Sequence, residues 1–200
     1  MSTVRTVRAP VGLEIERVRG SRFAALLAPV VDESAAAAIV EGARARTPDA
    51  THHCWALRLP DGLERASDDG EPRDTAGAPI LRHLQGADLS HVVCVVTRWF
   101  GGTKLGRGGL IRAYGAAAEA AIAAATIVER PVLATLEIEH DYDLSGAIQS
   151  VIAAHAAVVV DEAYGEAVAL RVTIPVEDED TFVRAVVDAT AGRVRPSSVG

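Results

Sequence analysis

Two hundred residues, 49% of them hydrophobic, suffice to bury the core of one large domain or two small ones. No apolar run reaches the ~18 residues that span a bilayer, and no charged segment leads into an apolar one at the N-terminus, so the expected location is the cytoplasm, without membrane contact. A net charge of −7 excludes a protein that coats nucleic acid indiscriminately, yet leaves room for one confined basic site.

Gly12 to Val18 and Arg22 to Val31 read as strands joined by a turn at Gly20-Ser21. Asp32 is placed to cap a helix from Glu33 to Arg46, with Ala35 to Ala38, Ile39 and Val40 on its apolar face. Thr51 to Leu59 alternates as a strand, with His53, Trp55, Leu57 and Leu59 on one face and His52, Cys54, Ala56 and Arg58 on the other. Pro60-Asp61-Gly62 is a predicted turn, followed by a polar loop containing Ser67-Asp68-Asp69-Gly70-Glu71-Pro72. Thr75 to Gly86 is a predicted helix that turns Ile80, Leu81 and Leu84 inward. His91 to Thr97 is apolar on both faces and is expected at the centre of a sheet. A helix over Gly108 to Val128 carries a buried stripe of Leu110, Ile111, Tyr114, Ala118, Ala121, Ile122 and Ala125.

Between that central strand and that helix lies the most informative stretch of the chain. Gly101, Gly102, Gly106, Gly108 and Gly109 are interleaved with Arg98, Lys104 and Arg107, and Lys104 is the chain's one lysine. Glycines at a helix start turn backbone amides toward one point, which makes either a tight crossover or an anion site. Trp99 and Phe100 stand at the loop entrance and must point in opposite directions; with the three cations they suit stacking and phosphate contact to RNA.

A domain boundary is expected at Glu129-Arg130-Pro131, dividing the chain into residues 1–130 and 131–200. The first part carries 16 basic and 15 acidic side chains, the second 4 basic and 12 acidic, so only the first can meet an anion without a hostile field. The second part reads as strand (132–140), helix (144–156), strand (157–163), a turn at Gly165, strand (166–176), helix (177–191) and strand (194–199). That βαββαβ order fits a ferredoxin-like fold.

Arg98-Trp99-Phe100-Gly101-Gly102-x-x-Leu105-Gly106 resembles the signature of the IMPACT/YigZ family. The resemblance takes in Ser21-Arg22-Phe23, Thr51 to Ala56, Asp68 to Pro72, Thr75-Ala76-Gly77-x-Pro79 and Gly108 to Gly115, in order across most of residues 15–125. It implies an α/β (α+β) chain, with a ribosomal-protein S5 domain 2-like N-terminal domain. It also implies a ferredoxin-like C-terminal domain similar to domain V of elongation factor G. Eukaryotic members regulate translation initiation, so the expected partner is RNA, the ribosome or a translation-associated protein. One departure is Asp74, where the family often has glycine; a cap on the helix beginning near Thr75 is its expected role.

Other chemistries fit less well. The P-loop pattern fails, because Arg107 and Gly108 stand where lysine and a metal-binding hydroxyl belong, and no other phosphate-loop signature occurs, so no nucleotide cofactor is expected. Asp68, Asp69 and Glu71 read as a capped turn rather than a cation site. His52, His53 and Cys54 are consecutive on a strand and cannot all reach one zinc, so no metal is expected. Cys54 and Cys94 belong to no Cys-x-x-Cys pair and read as buried thiols. No catalytic residue is assigned. The expected contact surface is Arg98, Trp99, Phe100, Lys104 and Arg107, shaped by Gly101, Gly102, Gly106, Gly108 and Gly109, with His53, Asp68, Asp69, Glu71 and Thr75 as a facing wall. Two alternatives remain at this stage. One is a small enzyme acting on a phosphorylated substrate, with Mg²⁺ or a catalytic base at the acidic loop. The other is a purely protein-binding module. The oligomeric state is open.

Overall fold

The computed structural model describes residues 2–59 and 62–199. The chain divides into one compact unit of residues 4–130 and a second of residues 131–200 with the first three residues. Among the described residues, no helix is long and apolar enough to cross a membrane.

The first unit contains β1 (Thr3–Val7), β2 (Val11–Glu14), β3 (Arg22–Pro29), α1 (Glu33–Arg46), β4 (His52–Arg58) and β5 (Glu64–Ser67). It continues with α2 (Gly77–Gly86), β6 (Val92–Trp99), α3 (Gly106–Ala124) and β7 (Ile127–Pro131). Five strands form an antiparallel sheet in the order β2-β3-β6-β4-β5, and β1 pairs with β7 in a separate ribbon. Strand β6 is central and buried on both faces, as its unbroken apolar run predicts. Val93 and Val95 meet Ala36, Val40 and Ala43 of α1 on one face. Val92, Cys94 and Val96 meet Ile80 and Leu84 of α2 and Tyr114, Ala117, Ala118 and Ala121 of α3 on the other. Alanine at the α3 contact keeps the side chains short, so helix and sheet pack closely. The Asp32 carboxylate accepts from the Ala35 amide at 2.7 Å, capping α1 as expected, an interaction worth about 1 kcal/mol.

Several boundaries differ from the sequence expectation. The first strand ends at Glu14, and beyond it a backbone hydrogen bond from Ile15 to Phe23 and a bridge between Val18 and Ser21 remain of its second half. The third helix ends at Ala124, and Ile127–Pro131 turns into β7. Strand β5 forms inside the expected polar loop, by pairing with Trp55 to Arg58. Of the expected Pro60-Asp61-Gly62 turn, Pro60 and Asp61 lie outside the described residues.

The second unit runs β8 (Leu133–His140), a 3₁₀ turn (Tyr142–Leu144), α4 (Ser145–Ala154), β9 (Val158–Tyr164), β10 (Val168–Pro175), a second 3₁₀ turn (Val176–Asp178), α5 (Glu179–Ala189) and β11 (Ser197–Ser198). The sheet order β11-β8-β10-β9, antiparallel throughout, is that of the expected ferredoxin-like βαββαβ unit. Leu136, Ile138, Leu170 and Val172 point to one face and bury Ile148, Ile152, Phe182 and Val186 of the two helices. The chain is thus a two-domain α+β protein.

Candidate nucleic-acid interface

The site is built where β6 leaves the sheet and α3 begins. Arg98 is two residues beyond Val96 and therefore points to the same face, the one that α2 and α3 cover. It is 4% exposed, and Glu71 is 9% exposed. Their side chains meet at 2.5 Å from Nη1 to Oε1. Arg98 Nη2 donates to Ser21 Oγ at 3.2 Å, the Tyr114 hydroxyl donates to the same Glu71 oxygen at 2.8 Å, and His52 Nε2 lies 3.8 Å from it. The guanidinium stacks 5.6 Å from the ring centres of both Phe23 and Phe100. A buried guanidinium demands a carboxylate and further acceptors; this network supplies them to the two terminal nitrogens, while Nε is buried without a hydrogen-bond partner. Burial, then the neighbouring Cys54 and Glu71, raises the Tyr114 pKa, so its hydroxyl keeps the proton that it donates.

The acidic loop is equally committed. Asp68 Oδ1 accepts from the amides of Ala76 and Gly77 at 2.9 Å each, and Oδ2 accepts from Asp74 N at 2.7 Å. Asp68, not Asp74, is therefore the cap of α2, delivered from a distant loop because Ala76 has no side-chain acceptor. Asp74 has φ +61°, in the left-handed region that favours glycine; aspartate is among the few side chains that tolerate it. Gly77 is dictated by space, since a Cβ there would lie 2.8 Å from the Ser67 nitrogen. Asp69 takes Arg44 at 2.7 Å and the His53 amide at 2.6 Å. Burial alone would raise the Asp69 pKa, but the Arg44 and His53 hydrogen bonds outweigh it and hold the carboxyl below its ordinary range. Its contribution to stability is present above the unfolded carboxylate value and is lost as pH falls through the lower folded one.

These contacts revise the expected wall. Arg98 is not a surface cation, because Glu71 and Ser21 consume it inside the protein. His53 faces α1, the opposite side of the sheet from Glu71, with its ring 2.8 Å from Thr47 Oγ1; burial and then Arg44 lower its pKa and keep it neutral. Thr75 is fully buried and donates to the Pro72 carbonyl at 2.5 Å. Asp68 and Asp69 spend both carboxylate oxygens, and Glu71 its Oε1, on internal donors, and among the described residues no group of three His, Cys, Asp or Glu side chains is set to hold a metal ion. Tyr114 was expected only as a core residue; the signal for its role is that a buried phenol needs a hydrogen-bond partner.

Cys54 and Cys94 are buried and unpaired. Burial pushes both thiols up to about 12, and the Cys54 thiol donates to the Asp68 carbonyl at 3.0 Å. Neither is expected to react with Ellman's reagent at pH 8 in the folded protein; both should become reactive at the rate of unfolding when urea is added. Labelling at a constant rate without urea would contradict this placement.

What remains accessible is the loop itself. Phe100 is 47% exposed, with its amide held by Thr51 Oγ1 at 2.9 Å. Trp99 is half-buried, tied to Asp49 by its indole N–H at 2.9 Å, and covered by Arg22 4.4 Å from its ring centre. Gly101 passes so close to the Gly20-Ser21 turn that a Cβ would lie 2.0 Å from the Gly20 carbonyl carbon. Lys104 and Arg107 are exposed, and among the described residues neither has a carboxylate partner; Arg107 donates to the Arg73 carbonyl at 3.0 Å. Gly106, Arg107 and Gly108 open α3, and no side chain caps that end. Positive side chains and an uncapped helix start favour an anion.

The family model of the Impact N-terminal domain matches residues 19–122, and that of a domain of unknown function (DUF1949) matches residues 138–193. The chain is 34% identical over 191 residues to the IMPACT family member YigZ of Escherichia coli, covering 94% of this chain and 93% of the relative. It is 32% identical over 178 residues to the IMPACT family member YvyE of Bacillus subtilis, covering 88% and 82%. A solved crystal structure of a hypothetical protein superposes with a TM-score of 0.75 at 32% identity, covering 100% of this chain and 98% of that one. With both domains matched in order, the chain belongs to the IMPACT family.

Proposed function

We propose that this chain is a translation-linked regulatory protein that contacts RNA, free or in the ribosome, through the exposed loop from Phe100 to Gly109. Membership of the IMPACT family supports the link to translation. The observation that carries the RNA contact is that Lys104 and Arg107 stand exposed and, among the described residues, without a carboxylate partner at the uncapped start of α3, beside a half-exposed aromatic ring. Phosphates meet the cations and helix amides, and an unstacked base can lie on Phe100. Arg98 serves as the frame that holds the loop.

The test is binding of the purified protein to ribosomal subunits and to a short structured RNA across a salt series. Affinity should fall with salt, and Lys104→Ala/Arg107→Ala should weaken binding while lowering the log–log salt slope by about 1.5, two phosphate contacts at ~0.7–0.9 each. Absence of binding at low salt, or an unchanged slope in the double variant, would remove this reading. Capture of a translation protein from nuclease-treated extract, without RNA binding, would favour a protein-docking role.

A further inference from the structure

The basic surface does not stop at the loop. A groove of about 250 Å³ begins at Leu105 and Gly109, in the first turn of α3, and is walled by Val18, Arg19 and Arg112. A second groove of about 350 Å³ runs between α2 and α3 and is walled by Pro79, Arg82, His83, Ile111, Arg112 and Glu119. Arg112 borders both, so the two form one track over the outer side of α3. Arg19, Arg82 and Arg112 are exposed, and among the described residues none has a carboxylate partner. Among the described residues, Glu119 is the one acid lining either groove.

Three arginines against one carboxylate call for an anionic occupant, and the guanidinium fork matches phosphate oxygens in pairs. Neither groove is lined by Phe, Tyr or Trp, and its one ring, His83, is half-buried with its imidazole packed against the Gly115 backbone, so the arginines are the main contact offered. The track spans α3 from its start to Glu119, about 20 Å at 1.5 Å per residue, long enough for several successive phosphates.

Resting on the proposed RNA contact at the loop, we infer that the two grooves joined at Arg112 hold the phosphate backbone of the same RNA without reading its bases. The loop engages one position on the RNA, and the track carries the strand away from it along α3.

The experiment uses the full chain with oligouridylate and oligocytidylate of equal length, and polyglutamate as a non-nucleic anion. Three proteins are compared: the unaltered chain, Lys104→Ala/Arg107→Ala, and Arg82→Gln/Arg112→Gln. The glutamine variant alters only exposed side chains, and circular dichroism and the urea midpoint verify its fold. It should weaken both oligonucleotides by the same factor and lower the salt slope by about 1.4, two single-strand contacts at ~0.7 each. If the glutamine variant keeps full affinity and slope while the loop variant loses both, the track is wrong and the loop reading stands. If the chain binds neither oligonucleotide, both fall. Unequal losses on uridylate and cytidylate would mean bases are read in the groove, and polyglutamate binding as tightly as RNA would make the occupant an acidic protein segment; either overturns the inference.

Discussion

Arg98→Ala should lower folding stability by about 3–5 kcal/mol, read as a fall in the urea midpoint at unchanged slope. The substitution strands the Glu71 carboxylate, 9% exposed, with only the Tyr114 hydroxyl and the more distant His52 ring beside it. It also removes the donor to Ser21 and the cation between Phe23 and Phe100. The effect is that of leaving one charge buried alone rather than the net worth of the pair. Arg98→Met/Glu71→Gln should therefore recover most of the loss, because neither charge is then present. A single-variant loss below about 1 kcal/mol would mean that the pair is hydrated and that Arg98 is available to a ligand after all.

Gly101→Ala should cost about 3 kcal/mol, at the upper end for overpacking, because the atoms in the way are backbone. The added Cβ would sit 2.0 Å from the Gly20 carbonyl carbon and 2.2 Å from the Ser21 nitrogen, where no flexible side chain can swing aside. The Gly20-Ser21 turn would be forced away, taking with it the Ser21 hydroxyl that accepts from Gly101 N and from Arg98. Gly108→Ala, a few residues on, is the control: its Cβ meets only Arg112 Nη1 at 3.7 Å, and helix propensity favours alanine. Thermal unfolding of the two variants side by side should show a large drop for the first and none for the second. Equal midpoints would show that the turn yields easily.

Much of the frame was legible in residue order. Asp32 before an alanine-rich run marks the start of α1, the two-sided apolar run marks β6 as central, and the βαββαβ order of the second unit follows from its periodicity. The strands missed were β1, β5 and β7, whose sequences Thr-Val-Arg-Thr-Val, Glu-Arg-Ala-Ser and Ile-Val-Glu-Arg-Pro show no clear alternation and are made by their partners. The end of α3 was overrun because no glycine or proline marks it; the β-branched Thr126, Ile127 and Val128 were the available sign. At the site, Arg98 reads in the sequence as a surface cation because arginine is rarely buried. Its phase with Cys94 and Val96 already placed it on the core face, and Glu71, 27 positions away, could be matched to it only through the fold. The Arg19–Arg82–Arg112 track was likewise invisible, since its members come from three separate segments.

The ribbon of β1 and β7 also bears on how the first unit is made. Strand β1 is synthesised well before its partner, which begins at Ile127, after residues 8–126 have been added. At ~5–20 residues per second, that is a wait of roughly 6–24 s during which β1 has no strand to pair with. All five strands of the sheet are complete at Trp99, so they can pair before β7 exists, leaving ribbon closure as the last step of the unit's maturation. Chains truncated just short of Ile127 and released would then carry a paired sheet with a protease-sensitive β1.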